Sequence, residues 1–270
     1  MTDRAQNPEY RELEARIEDY IKKSERGELQ ISSFLTPMQI FFAKDILKRR
    51  ASLKRAVFFG GYGECERARL LLLPTFAEDI EGENEDKLCT YFPDEYKSAC
   101  VSLLVKGSGY RELSHRDYLG SILGLGLERD AIGDIVMLDS FSAAVFCTES
   151  ISKFLIEELK TVGSDKVGVC VFLPDSDFCG KRKYQRINDT VSSERFDCVI
   201  AALCNLSRDK AQSAIKGGLC TLDYMTEEEC SASVKEGCII SVRGYGKYIV
   251  RDISQSTKKG RIRLVADKYI

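Results

Sequence analysis

The sequence holds one histidine, His115, in 270 residues, and its eleven cysteines come no closer than Cys198 and Cys204, with five residues between them. Neither Cys-x-x-Cys nor Cys-x-x-x-x-Cys occurs. That removes the tight pairs from which tetrahedral zinc sites draw their ligands, so no metal and no cofactor is expected. The cysteines sit mostly in apolar stretches such as Val169-Cys170-Val171-Phe172 and are expected to be small buried hydrophobes in a reducing cytosol. Long apolar runs are missing as well. The longest, Leu70-Leu71-Leu72-Leu73, stops at Pro74, far short of the roughly 20 residues that cross a bilayer. Met1-Thr2-Asp3-Arg4 opens no apolar signal core, so a cytoplasmic chain without a membrane partner is expected. Catalytic signatures are equally scarce. Gly60-Gly61-Tyr62-Gly63-Glu64 lacks the Gly-Lys-Ser/Thr of a P-loop and the G-x-G-x-x-G spacing, and reads as a hairpin turn. A nucleophilic cysteine would lack a second histidine, and no Gly-x-Ser-x-Gly occurs. There is no internal repeat and no low-complexity segment.

What is present is a foldable chain with a divided charge. Apolar residues make up 44%, enough for real cores, and the length suits two or three domains at roughly 100–200 residues each. The net charge of -2 splits unevenly. From Lys181 onward there are 17 Lys and Arg against 11 Asp and Glu, and the rest holds 23 against 31. A basic C-terminal third on an acidic chain points to a polyanion partner for that third.

Leu13, Ile17, Tyr20 and Ile21 recur at helical spacing within Pro8–Lys23. Thr36 and Pro37 supply an N-cap and a first helical position for a second helix ending in Lys48-Arg49-Arg50. Cations at a helix C-terminus are favourable without a ligand. Val57–Phe59 and Arg67–Leu73 read as two strands of a hairpin, and Gly82–Asp86 as an acidic, turn-forming break. The order that follows is strand (Ala99–Lys106), helix (His115–Leu123), strand (Asp134–Leu138), strand (Ala143–Cys147), helix (Ile151–Thr161) and strand (Val167–Leu173). This β-α-β-β-α-β order is the ferredoxin-like split arrangement. RNA recognition motifs share it, but their stacking aromatics are missing, and the lone Phe146 reads as core. Ser114 caps the first of these helices. His115 and Asp117, at i and i+2, then point to different sides, which argues against an acid–base pair. Pro174–Asp189, with Lys181-Arg182-Lys183, reads as a linker or basic arm.

Beyond it, Phe196, Val199, Ile200 and Leu203 form one apolar helical stripe. Asn205-Leu206 breaks it, Ser207 caps a second short helix, and Gly217-Gly218 ends that helix. Arg208, Gln212 and Lys216 fall at i, i+4 and i+8 and are expected to line one exposed edge, with Lys210 beside the helix start. A helix N-terminus presents free N–H groups and a positive dipole end, and cations there add charge-assisted donors suited to phosphate. Short strands follow at Leu219–Leu222, Ile239–Val242 and Tyr248–Val250, with Arg243 and Lys247 in the turn between the last two. Lys258, Lys259, Arg261 and Arg263 are read as a basic tail.

Arg195-Phe196-Asp197, Leu206 to Gln212, Ile215 to Gly218, Val234 and Gly237 to Val242 together resemble the RNA-binding domain first known from small-subunit ribosomal protein four, the S-four domain. Asp223 departs from its pattern where Asn is common, and Cys238 where Asp is common. Phe58 to Tyr62 with Glu66-Arg67, Ser114 to Gly126, Arg129 to Ile135, and Arg243 to Gly246 resemble the YlmH family of bacterial cytoplasmic proteins. The combined reading is an α+β chain. It has an N-terminal helical and hairpin subdomain over 1–82, a ferredoxin-like βαββαβ domain over 83–180, and a small α+β S-four-like domain with a basic tail over 181–270.

The resemblance implies a non-enzymatic protein that binds rRNA and tRNA on the large ribosomal subunit, in the handling of stalled peptidyl-tRNA, with a link to cell-division genes. A monomer is expected. The expected RNA-binding residues are Arg195, Ser207, Arg208, Lys210, Gln212, Lys216, Arg243, Lys247, Lys258, Lys259, Arg261 and Arg263, with His115, Arg116 and Arg129 as secondary contacts. Two other classes remain open: an RNA-modifying enzyme carrying an appended S-four domain, and a cell-division adaptor.

Overall fold

A computed structural model describes residues 7–175, 178, 184–255 and 260–269. Lys181, Arg182, Lys183, Lys258, Lys259 and Cys179 lie outside them. The chain divides into two compact units, Pro8–Lys181 and one built on Arg182–Ile270.

The first unit begins with helix α1 (Pro8–Glu25), strand β1 (Gln30–Leu35) and helix α2 (Pro37–Arg49). The capping chemistry at Thr36 is complete, because its side chain accepts from Gln39 N–H and the Gln39 side chain accepts from the Thr36 N–H. Strands β2 (Ala56–Phe59) and β3 (Ala68–Leu72) form the expected hairpin, and β1 adds to it in the antiparallel order β1-β3-β2. Alternation along β3 sends Leu71 toward Leu73, Ala77, Leu88 and Ala99. The acidic stretch after Gly82 is more than a break. Asn84 opens helix α3 (Asn84–Tyr91), which is followed by α4 (Pro93–Ala99), since acidic side chains suit a first helical turn.

Strand β4 (Val101–Gly107), helix α5 (His115–Gly124), strands β5 (Ile132–Met137) and β6 (Ser142–Cys147), helix α6 (Glu149–Glu158), the two-residue β7 (Thr161–Val162) and β8 (Asp165–Phe172) then follow. Their sheet is antiparallel in the order β5-β6-β4-β8-β7. With β4 central between β6 and β8, this is the ferredoxin-like arrangement. One face buries Leu103, Val105, Ala143 and Val145 against Tyr118, Ile122 and Leu155 of the helices. The other face holds Phe146, fully buried and covered by the rings of Tyr62 (4.7 Å) and Phe178 (5.9 Å).

The expected burial of the cysteines holds only in part. Cys147, Cys198, Cys204 and Cys220 are buried, whereas Cys89 and Cys170 are exposed. Cys170 lies on β8, where the apolar run Val169 to Phe172 is only half-buried and Val171 is 58% exposed. An apolar neighbourhood in sequence did not secure burial, because this strand is covered less fully than β6, every residue of which is buried.

The second unit is a six-stranded antiparallel sheet with two helices on one face. In chain order it has strand β9 (Tyr184–Val191), helices α7 (Phe196–Cys204) and α8 (Arg208–Lys216), and strands β10 (Cys220–Leu222), β11 (Met225–Thr226), β12 (Ile239–Val242), β13 (Gly246–Gln255) and β14 (Ile262–Tyr269). The sheet order is β11-β10-β12-β13-β14-β9. Its core joins Phe196, Val199, Ile200, Ala211 and Ile215 to Ile240, Tyr248, Val250, Leu264 and Ala266.

Two expectations are corrected. The supposed linker is strand β9 from Tyr184 on, paired along its length with β14. The supposed basic tail from Ile262 is β14 itself, an interior strand between β13 and β9. Arg186 and Arg263 take the alternate positions to Ile187, Val191, Leu264 and Ala266, which pack inward.

Candidate nucleic-acid interface

The helix pair is built by its turn. Asn205 ends α7 in the left-handed conformation (φ 52°), which Asn tolerates better than most side chains. Leu206 N–H returns to Ala201 O at 2.9 Å. Ser207 then caps α8, its hydroxyl accepting from Lys210 N–H. This turn brings Arg208 and Gln212 back to the start of α7.

There they meet Asp197, a fully buried carboxylate. Arg195 donates through Nε (3.1 Å) and Nη2 (3.2 Å), Arg208 through Nε (3.2 Å) and Gln212 through Nε2 (2.8 Å). Burial alone pushes the Asp197 carboxyl up. The hydrogen bonds from Arg195, Gln212 and Arg208 outweigh it and hold the group well below the usual carboxylate range. The side chains of Arg195 and Arg208 remain 40% and 54% exposed. Arg208 reaches Asp197 through its Nε. Two guanidinium groups are thus fixed by one buried anion with donors to spare.

Lys210 and Lys216 are exposed on the same helix. Arg243, exposed in the turn between β12 and β13, is tied by its N–H to Leu219 O at 2.9 Å, just beyond the end of α8. Arg195, Arg208 and Gln212 therefore converge on Asp197, Ser207, Lys210 and Lys216 lie along α8, and the backbone of Arg243 meets the chain just past its end. Gln212 differs from the expected exposed edge, being half-buried and committed to Asp197.

The remaining expected residues lie elsewhere. Lys247 precedes the buried Tyr248 and faces away from the helices, its Nζ 5.0 Å above the rings of both Tyr224 and Tyr269. Arg263 likewise precedes the buried Leu264 and lies 3.9 Å from Asp252. Arg261 donates to Thr190 O of strand β9 at 2.8 Å. Lys258 and Lys259 fall outside the described residues.

In the first unit, Ser114 and Asp117 complete a capping box, with Asp117 accepting from the Ser114 N–H (2.8 Å) and hydroxyl (2.6 Å). His115 and Arg116 are exposed beside it. Burial, then Arg129, lowers the His115 pKa. Arg129 itself donates to Ile132 O and Gly133 O.

Sequence reasoning also missed a junction. Asp134 accepts from Tyr62 OH (2.6 Å), Glu66 N–H (2.6 Å) and Arg67 N–H (3.1 Å). The buried Arg67 in turn donates to Phe34, Arg129 and Ile132 carbonyls. Burial lowers the Arg67 pKa to about 10. The residues Gly60 to Tyr62, Glu66-Arg67 and Gly133-Asp134, scattered in sequence, are thereby one knot joining the hairpin to the ferredoxin-like sheet. The signal that could have found it is the pairing of a glycine-rich turn with a buried acid.

Among the described residues no group of three or more His, Cys, Asp or Glu side chains is placed to hold a metal ion. No helix among them is long and apolar enough to cross a membrane.

The chain is thus α+β, with a ferredoxin-like sheet in one unit and a cation-bearing helix pair in the other. Residues 95–172 match the family model described as "Putative RNA-binding domain in YlmH". Over 212 residues the chain is 31% identical to the ribosome-associated protein quality control protein P2 of Bacillus subtilis (strain 168), a match covering 78% of this chain and 77% of that protein. The cell division protein ylmH from Streptococcus pneumoniae is a structural match with TM-score 0.48 and 21% identity, covering 62% of this chain and 92% of that one. The chain belongs to the YlmH family.

Proposed function

We propose that this protein binds structured RNA, rRNA and tRNA, on the large ribosomal subunit, and that it acts there in the rescue or quality control of stalled peptidyl-tRNA complexes without catalysing a reaction. The observation that carries the reading is the pair Arg195 and Arg208, locked on buried Asp197 at the head of α8 and still exposing donors. Backbone phosphates of A-form RNA are recognised by such fixed, multidentate donors. Lys210, Lys216 and Arg243 extend the group along the helix. We assign this part of the chain as an S-four-like domain. The match of residues 95–172 to an RNA-binding family model and the ribosome-associated relative support the same class of partner. On the ferredoxin-like sheet the surface that stacks bases in RNA recognition motifs is occupied by Tyr62 and Phe178 over Phe146. RNA contact by this domain is therefore assigned to its exposed helix start, His115 and Arg116. Cosedimentation with purified large subunits tests the reading. The wild-type chain is expected to pellet with them, and the Arg208→Ala/Lys210→Ala variant to remain largely in the supernatant. Equal pelleting of the two removes the site assignment.

A further inference from the structure

The face of the C-terminal sheet turned away from α7 and α8 carries a second set of rings and cations. Tyr248, Val250, Leu264 and Ala266 point into the helix-side core, so strand alternation sends Lys247, Arg263, Asp267 and Tyr269 to the opposite side. The register places Tyr269 beside Tyr184 and Asp267 beside Arg186. The rings of Tyr184 and Tyr269 meet edge to face at 5.2 Å. The Arg251 guanidinium lies 5.8 Å above the Tyr184 ring. Arg186 (2.9 and 3.2 Å) and Arg251 (2.8 Å) both donate to Asp267, which is 4% exposed. Hydrogen bonding from Arg186 is the main cause of its lowered pKa.

The arrangement has a direction. One buried carboxylate fixes two arginines whose side chains are 62% and 43% exposed. Among the described residues, Lys247 and Arg263 add to these two arginines on this face, against the carboxylates Asp267 and Asp252, so its charge complements an anion. Guanidinium planes beside half-buried tyrosine rings are the combination on which unpaired bases stack while phosphates pair with arginine. A duplex keeps its bases stacked internally and offers rings nothing to receive, which selects a single-stranded segment.

We propose that this sheet face is a platform for unpaired nucleotides of RNA, with Tyr184 and Tyr269 receiving bases and Arg186 and Arg251 the flanking phosphates. The inference rests on the RNA-binding reading above but uses a different surface, since these residues lie on the side of the sheet away from α8.

The test is binding of the full chain to a fluorescent oligouridylate of about twelve nucleotides and, separately, to an RNA hairpin. Tyr184→Leu is expected to weaken oligouridylate binding about tenfold. Tyr184→Phe should restore it to about the wild-type value, and hairpin binding should stay unchanged in both variants. Unchanged oligouridylate binding by Tyr184→Leu overturns the platform. So does poly-glutamate that competes as well as unlabelled oligouridylate, which would make the face a surface for acidic peptides. Cross-linking of the wild-type chain to a 4-thiouridine oligomer is independent of how the variants fold. It is expected to map to β9 and β14, and cross-links confined to α8 would overturn the platform. Wild type that binds the hairpin but not the oligomer defeats this inference alone. Wild type that binds neither defeats the proposed function as well.

Discussion

Cys238 Sγ lies 3.6 Å from Oδ2 of Asp223, and these are the two positions where the chain departs from the S-four pattern it otherwise resembles. The departures are therefore one local exchange. Asp223 sits in the left-handed region (φ 50°) and its carboxylate also accepts Ile239 N–H at 2.9 Å. Burial pushes the Cys238 thiol up to about 11, so it stays protonated and donates. Cys238→Asp alone would set two carboxylates against each other and is expected to cost about 1–2 kcal/mol. Asp223→Asn/Cys238→Asp should recover most of that loss. Urea denaturation of the four members of the cycle measures the coupling, and additive single effects would dismiss it.

Asp197 gives a pH signature. Its carboxyl is held below the usual range in the folded chain and returns to about 3.9 on unfolding. The stabilisation is fully present above that value and is lost as pH falls toward the folded pKa. Wild type is expected to lose stability steeply below about pH 4. Asp197→Asn should be less stable at neutral pH by about 2 kcal/mol and show a shallower decline. Thermal midpoints from pH 7 to pH 2 compare the two, and parallel curves would contradict the assignment.

Arg208 and Lys210, both assigned to the proposed RNA contact, should separate in stability. Each Ala variant is expected to lower the slope of log affinity against log salt by roughly one. Arg208→Ala also removes a bond to Asp197 and should cost about 1 kcal/mol of stability. Lys210→Ala, exposed on the helix, should cost almost none. A salt titration and a denaturation curve on each variant supply the four readings.

The junction at Asp134 is sensitive to a single methyl group. Gly61 adopts φ +91°, and a Cβ there would lie 2.7 Å from Phe146 and 2.8 Å from Cys100 Sγ. Gly61→Ala is therefore expected to destabilise the first unit by about 2–3 kcal/mol. Tyr62→Phe keeps the ring but loses the bond to Asp134, at about 1–2 kcal/mol. Calorimetry that placed Tyr62→Phe below Gly61→Ala in stability would reverse this order.

Local chemistry was the most legible part of the chain. Thr36 and Ser114 carry caps that bind only neighbours three residues away, and the αα turn at Asn205-Leu206-Ser207 is equally local. The βαββαβ order was readable because β4, β5 and β6 are apolar. Strands β9 and β14 were not, since polar side chains on their open face interrupt the apolar pattern and Arg261 and Arg263 suggested a tail. At the site, spacing placed Arg208 and Gln212 on one face. What they converge on, Asp197, lies eleven residues before Arg208 and was visible only once the turn was closed. The tyrosine and arginine face depends on the pairing of β9 with β14, an association across most of the unit.

The anchoring of Arg195 and Arg208 on Asp197 bears on the kinetics of encounter. A free arginine side chain carries about 2 kcal/mol of rotamer entropy, which an incoming phosphate would otherwise have to remove. Here that freedom is lost when α7 and α8 fold together, before any ligand arrives. On the proposed reading, the guanidinium groups would meet a phosphate already oriented, and its capture would be governed by diffusion and ionic strength rather than by a search among side-chain conformations.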